Sequence, residues 1–436
     1  MIVQKTAIQR AHILHPYSGR ETKSVALDIE EAVSLAVALG VDIAASASIP
    51  IREIKAANYF GSGKIHELGE INAKAGINLV IVNAALAPIQ QRNLEELWGT
   101  KVIDRTGMIL EIFALRAATK EGRLQVELAR LSYERSRLVR TWTHLERQRG
   151  GQGFLAGPGE TQIESDRRQI ADKMVRLQND LDQVRRTRAL QRTKRRRAPE
   201  RVVALIGYTN TGKSTLFNLL TKGGVMAKDM LFATLDTTHR ILPLPSGQKA
   251  VMSDTVGFIS DLPTELVEAF RATLEEVKEA DLLVHVRDIS DPLSESRKID
   301  VLEILDSIDA GPSHSQDIIE VWNKTDLLPK NEERDLLEGV DSHNRDKNLT
   351  KGYALSCKTK KGLAKLLGGI EESLSSSDEI VDVVIEPKDF SIRAWLHENG
   401  DVLNETISDR GSYAMRVRLP QVNADMLTAR HPHVFN

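Results

Sequence analysis

Residues 207–214 read Gly207-Tyr208-Thr209-Asn210-Thr211-Gly212-Lys213-Ser214, two glycines separated by four residues and followed by a lysine and a hydroxyl. Backbone N–H groups of such a glycine-rich loop can cradle phosphates. The stretch lies between the apolar run Val202–Ile206, a predicted strand, and Ser214–Leu220, a predicted helix. Phosphate would therefore sit at a helix N-terminus, where unpaired donors and the helix dipole both favour negative charge. Lys213 would reach the outer phosphates, and Ser214, followed by Thr215, would bind the magnesium that bridges them. Taken alone, the pattern fits an ATPase, a GTPase or a chance match.

Its companions select among these. Asp254-Thr255-Val256-Gly257 follows the apolar Ala250–Met252. An acid ending a strand beside the phosphate loop would hold magnesium through water, and Gly257 would let its N–H approach a γ-phosphate. Asn323-Lys324-Thr325-Asp326 ends a predicted buried strand, Ile318–Trp322. The Asp326 carboxylate can accept from N1–H and the exocyclic amine of guanine, a pair that adenine lacks, and an acceptor left unpaired by the wrong base is costly. Lys324 would lie over the base, and Ser356-Cys357-Lys358 would close its far edge after Tyr353-Ala354-Leu355. Phe232-Ala233-Thr234-Leu235-Asp236 falls where a switch loop belongs. Thr234 is the candidate to complete the magnesium shell, with Thr237 and Thr238 as rivals. Each short motif alone is more often surface loop. In this order, each at a strand end, they predict a domain that binds GTP and GDP.

Two positions bear on mechanism. Many GTPases place a glutamine after the D-x-x-G glycine to orient the attacking water; here that residue is Phe258. An aromatic ring cannot do this, which predicts slow unaided hydrolysis completed by a partner. Asn210, in the middle of the phosphate loop, suits either a potassium ion between the phosphates or simple stabilisation of the loop.

The 436 residues suffice for about three domains of ~150 residues each. With 41% hydrophobic and 28% charged residues the composition is that of an ordinary soluble protein. A single cysteine excludes an internal disulfide framework. Met1–Tyr17 is too polar for a secretory signal, and no run approaches the ~20 apolar residues of a membrane span. The expectation is a cytoplasmic protein, monomeric when free, with nothing in the sequence to indicate peripheral membrane association. Net charge is −2, but residues 120–201 carry 21 basic and 11 acidic residues, leaving the remainder at −12. Arg185–Arg197 alone holds eight basic residues and no acid. This asymmetry suggests a face for a polyanion, with a solvated helix end or basic linker as the competing reading of the last cluster.

Residues 1–118 are predicted to form an α/β domain. Its strands are Ser24–Leu27, Val41–Ala45, Leu79–Asn83 and Lys101–Ile103; its helices are Glu30–Leu39, Lys64–Ala75, Ile89–Trp98 and Gly107–Arg116. Gly61-Ser62-Gly63-Lys64 lacks the phosphate-loop spacing and reads as a turn before a helix. In 119–198 two seams spaced 4-3-4-3, Leu124-Leu128-Leu131-Arg135-Leu138-Trp142-Leu145, broken only by the arginine, and Ile170-Met174-Leu177-Leu181-Val184, predict an antiparallel helical hairpin. Its glycine-rich tip, 150–159, reads as a probe for a partner's surface, RNA by preference, or as a plain connector. Residues 199–375 make the nucleotide domain, a mostly parallel sheet with helices on both faces, and 379–436 a small α+β domain.

With these residues in place the chain resembles the HflX family of GTPases over nearly its whole length. The specific signals are Asp104-Arg105-Thr106-Gly107, Glu121-Gly122-Arg123-Leu124-Gln125-Val126-Glu127-Leu128, Gly157-Pro158-Gly159-Glu160-Thr161-Gln162-Ile163-Glu164 and Asp166-Arg167-Arg168. The resemblance implies a factor that binds the large ribosomal subunit and its RNA, has its GTPase activity raised there, and separates stalled or idle ribosomes. It also implies some ATP hydrolysis involving the N-terminal part, for which the chain shows no second phosphate loop. Asp236-Thr237-Thr238-His239-Arg240 departs from the family's D-P-T-T-R, and Cys357 stands where alanine is usual. Two other classes compete: a GTP-regulated protein-docking switch, and an assembly GTPase acting on precursor RNA.

Overall fold

The computed structural model describes residues 9–19, 22–148, 158–195, 201–221, 232, 237–259, 271–346, 350–376, 378–408 and 411–435. They fall into two compact units, the first within 1–186, 228–236 and 256–273, the second within 187–227, 237–255 and 274–436.

The first unit is built on strands alternating with helices: β1 (Arg10–Tyr17), α1 (Thr22–Ala38), β2 (Asp42–Pro50), α2 (Ser62–Ala75), β3 (Leu79–Val82), α3 (Pro88–Trp98), β4 (Lys101–Asp104) and α4 (Arg105–Arg116). All four strands are parallel, in the order β2-β1-β3-β4. One expectation is corrected here. Ser24–Leu27 is not a strand but part of α1, whose buried Ala32, Leu35 and Ala36 lie on one helical stripe. The strand it was taken for is β1, buried from Ala11 to His15 at the centre of the sheet. Its two histidines, inside the buried run, hide its strand character from an apolar count.

At the end of β4, Asp104 is 1% exposed and accepts four hydrogen bonds. Its Oδ1 takes the Gly107 N–H at 2.8 Å, capping α4, and the Tyr133 hydroxyl at 2.6 Å. Its Oδ2 takes the Leu86 N–H at 3.3 Å and the Arg137 guanidinium at 2.5 Å. Tyr133 and Arg137 lie on α5 (Lys120–Gln148), so one carboxylate caps a helix and clasps the next one to the sheet. Burial beside Asp104 pushes the Tyr133 hydroxyl well above the ordinary tyrosine range, so it stays a donor. Helix α6 (Pro158–Arg195) forms the second arm of a hairpin with α5.

The second seam holds on α6, where Leu181 is 2% exposed while Val175, off the seam, is 60% exposed. On α5 the burial extends beyond the seam to Gln125, Val126 and Ala129, because α5 also packs on α3 and α4. Most of the Arg185–Arg197 cluster belongs to the last turns of α6, and Arg196 and Arg197 lie outside the described residues. Residues 150–157 of the tip lie outside the described residues, and its last two, Pro158 and Gly159, open α6.

The second unit carries a six-stranded sheet of order β10-β9-β8-β5-β7-β6. Its elements are β5 (Arg201–Ile206), α7 (Lys213–Leu220), β6 (Thr238–Pro243), β7 (Lys249–Asp254), α8 (Arg271–Lys278), β8 (Leu282–Asp288), α9 (Ser294–Ser307), β9 (Asp317–Asn323), α10 (Lys330–His343), β10 (Gly352–Ala354) and α11 (Leu363–Leu374). Only the edge strand β6 runs antiparallel. A three-stranded antiparallel sheet, β11 (Asp378–Ile385), β13 (Tyr413–Pro420) and β12 (Asp401–Ile407), follows with α12 (Phe390–Asn399) and α13 (Gln421–Arg430). Arg201, which opens β5, ion-pairs with Asp378, which opens β11. No helix among the described residues is long and apolar enough to cross a membrane.

Asp104→Ala uncaps α4 and releases two donors on α5, so urea unfolding should show a loss of about 2–4 kcal/mol. Tyr133→Phe, which removes one bond, should cost about 1 kcal/mol.

Candidate functional site

Five parallel strands of the six-stranded sheet end at one edge, and each delivers its polar residues there. That edge is where open α/β sheets bind ligands. Strand β5 leads into the phosphate loop; β7 ends in Asp254, β8 in Asp288 and β9 in Asn323, while Ser356 follows β10.

The loop's two glycines are fixed by contact. A Cβ at Gly207 (φ 141°) would lie 2.2 Å from the Val286 carbonyl oxygen, and one at Gly212 (φ 96°) would lie 2.3 Å from Asn323 Nδ2. No other residue fits either place. Lys213 is buried, with Nζ donating to the Tyr208 carbonyl at 2.6 Å, and Thr211 Oγ1 donates to the same oxygen at 3.0 Å. Burial pushes the Lys213 ammonium down to about 8, against an opposing pull from Asp254. A phosphate in the loop would add negative charge beside this lysine. Asn210, at φ 60°, is exposed, as is Thr215, while Thr209 is buried and Ser214 half-buried in the first turn of α7.

Asn323 joins three segments. Its Nδ2 donates to the Thr211 carbonyl at 2.7 Å and its Oδ1 accepts from the Cys357 N–H at 3.1 Å. The Cys357 contact is through the backbone, and burial pushes its thiol up to about 12, so it stays protonated. Asp326 Oδ1 accepts from Ser356 Oγ at 2.6 Å, which fixes the carboxylate plane. Thr325 is buried, Lys324 is in the left-handed region at φ 67°, and Lys358 is exposed.

Asp254 is 2% exposed beside Thr255, whose Oγ1 donates to the Leu205 carbonyl at 2.5 Å. Among the described residues Asp254 is engaged with neighbours, and its Oδ1 atom accepts no hydrogen bond from them. A buried carboxylate oxygen in that condition, with the Ser214 hydroxyl on α7, suits a hydrated magnesium ion. Val256, Gly257 and Phe258 follow in the chain and fall in the first unit; Phe258 is 4% exposed. Phe232 also belongs to that unit, buried with its ring edge-on to Phe113 at 4.6 Å. Ala233, Thr234, Leu235 and Asp236 lie outside the described residues. Thr237 is half-buried and Thr238 opens β6.

Sequence reading missed a charged layer beside the phosphate loop. Arg287 on β8 donates to Glu320 at 2.8 Å, Lys298 on α9 reaches the same carboxylate at 2.5 Å, and Arg287 also pairs with Glu295. Burial alone would raise the Glu320 carboxyl, but bonds from Lys298, Trp322 and Arg287 outweigh it and hold the group at about 2. His285, 2% exposed, is pushed down to about 3 by burial and stays neutral; among the described residues its Nδ1 has no hydrogen-bond partner. The available signal was the polar residues set inside two apolar strands, His285 and Arg287 on β8 and Glu320 on β9.

Below pH 6.5 an unfolded chain protonates His285 and the folded one does not until about pH 3, so stability falls as pH drops through that window. His285→Gln should therefore lose about 1 kcal/mol less than the parent between pH 7 and pH 5.5 in urea unfolding.

Three family profiles match consecutive parts of the chain. They are described as GTP-binding GTPase N-terminal over 27–114, GTP-binding GTPase Middle Region over 116–195, and 50S ribosome-binding GTPase over 202–324. A protein named GTPase HflX from Magnetococcus marinus is 44% identical over 406 residues, spanning 92% of this chain and 91% of its own. Another of that name from Escherichia coli strain K12 is 41% identical over 429 residues, spanning 98% and 97%. Among solved structures, a complex described as SsGBP with GDP is similar in fold, with a TM-score of 0.50 at 24% identity over 85% of this chain and 99% of that one. The nucleotide loops, the order of the three matched regions and the full-length relatives agree: the chain belongs to the HflX family of GTPases.

Proposed function

We propose that this GTPase works on the large ribosomal subunit, where ribosomal contact raises its hydrolysis rate, and that the GTP cycle drives separation or rescue of stalled ribosomes. The observation that carries the reading is Phe258: a site equipped to hold GTP has a buried aromatic ring where a water-orienting side chain is expected. Turnover then depends on a group brought by a partner. The match of residues 202–324 to a family described as 50S ribosome-binding supports the large subunit as that partner. The basic excess over residues 120–201 supports an RNA contact.

In this reading the segments 1–118 and 119–198 approach ribosomal RNA, 199–375 bind nucleotide, and 379–436 form a separate C-terminal domain. Backbone N–H groups of Gly207–Ser214 hold the phosphates with Lys213, and Ser214, Thr234 and Asp254 (through water) hold magnesium. Gly257 senses the γ-phosphate. Asp326 accepts from guanine, Lys324 covers its face, and Ser356-Cys357-Lys358 line its far edge. Asn210, exposed beside the phosphates, is the candidate potassium ligand.

GTP turnover by the full chain, alone and with purified large subunits in potassium buffer, tests the reading. Stimulation of about a hundredfold or more is expected, given what a completed transition-state contact contributes. No stimulation, with GDP binding intact, moves the function to a protein-docking switch; stimulation by precursor particles alone moves it to subunit assembly. Asp326→Asn exchanges an acceptor for a donor at the base edge. Its preference should shift from guanine to xanthine nucleotides, read by competition binding.

A further inference from the structure

Strand β8 ends in Asp288, a residue outside every nucleotide motif, and its two carboxylate oxygens are divided between two tasks. Oδ1 accepts from the Ser290 N–H at 3.1 Å and the Ser290 hydroxyl at 2.6 Å, which closes the turn that follows. Oδ2 takes the Lys324 ammonium at 2.7 Å. The pair is largely shielded, the side chains being 16% and 25% exposed. The backbone repeats the connection, since the Ile289 N–H donates to the Asn323 carbonyl at 3.1 Å.

The same loop is fixed at its other end to the phosphate loop. Asp291 accepts the Leu293 N–H at 2.9 Å and ion-pairs with Arg297, whose guanidinium lies 4.5 Å over the Tyr208 ring. Tyr208 is the residue whose carbonyl holds Lys213. The segment 288–297 therefore spans from the lysine of the base motif to the lysine of the phosphate loop.

We infer that Asp288 is a positioning residue for guanine nucleotide binding, acting through Lys324. A lysine side chain has four rotatable bonds, and an ammonium left to solvent samples many rotamers. Anchoring its tip before nucleotide arrives removes that ordering cost from the binding step, so affinity rises without a contact between Asp288 and the ligand. The inference rests on the reading that Lys324 lies over the base.

The test is a double-mutant cycle on the full chain, with GDP affinity in magnesium buffer as the readout and the melting temperature of the ligand-free protein as a control. Asp288→Asn keeps an oxygen acceptor for the Ser290 turn and removes the charge that holds Lys324. It should weaken GDP binding about 5–20-fold with little change in melting temperature, and Lys324→Ala should weaken it at least as much. The double variant should be no weaker than Lys324→Ala, because the carboxylate then has nothing to hold. If Asp288→Asn does not fold, Asp288→Ser, which also offers a turn acceptor, replaces it in the same cycle. An unaltered affinity in Lys324→Ala overturns the base-site reading and this inference with it. A loss in Lys324→Ala but none at Asp288, or losses that multiply in the double variant, overturns the inference alone.

Discussion

One side-chain amide holds the nucleotide site in register. Asn323 presents its donor to the phosphate loop at Thr211 and its acceptor to the Cys357 N–H beyond β10. Three segments far apart in sequence are thereby set against one another before any ligand arrives. The amide is 2% exposed, so each of its bonds is made away from water, where leaving one unmade would be costly. Gly212 follows from this arrangement, for the amide occupies the space that a side chain there would need. The second constraint is the sheet itself. Parallel strands place their carboxyl ends at one edge, so residues 207 to 358 can converge although the chain passes between them through long helices.

Much of this was legible in the sequence, because strand-ending motifs combine spacing with apolar flanks. Strands β5, β7, β9 and β10 each precede a motif and were read as strands on that ground. The small α+β character of the C-terminal part was equally readable; the structure builds it from three strands and two helices. The reading failed where physics outside the local pattern decides. Strand β1 is interrupted by His12 and His15, tolerated because His12 Nδ1 bonds Asn72 at 2.7 Å and His15 Nδ1 bonds Asn83 at 3.0 Å. Nothing local to residues 10–17 announces those partners. Residues 24–27 misled in the opposite sense, since four residues are too few to separate a helix stripe from a strand.

The site's supporting residues were invisible for the same reason. Asp104 was noticed only as part of a family signature; its four donors come from residues 86, 107, 133 and 137, and only the structure assembles them. Asp288 and Glu320 resemble ordinary charged residues until the pairing of β8 with β9 sets Arg287, Lys298 and Lys324 around them. Motif residues contact ligand and so obey a spacing rule, whereas the residues that steady them obey only proximity.

The Asp104 clasp also has a mechanical meaning. Helix α5 has 29 residues, about 44 Å, and its clasp to Asp104 at Tyr133 and Arg137 lies near its middle, so about 17 Å of helix runs on beyond it. A sideways load applied near its far end acts on that clasp with the leverage of the helix beyond it. The carboxylate that caps α4 then also resists the torque, so the arm cannot pivot at the clasp without disturbing the helix beside it. What looks like a stability device is therefore the stiff bearing of a long lever.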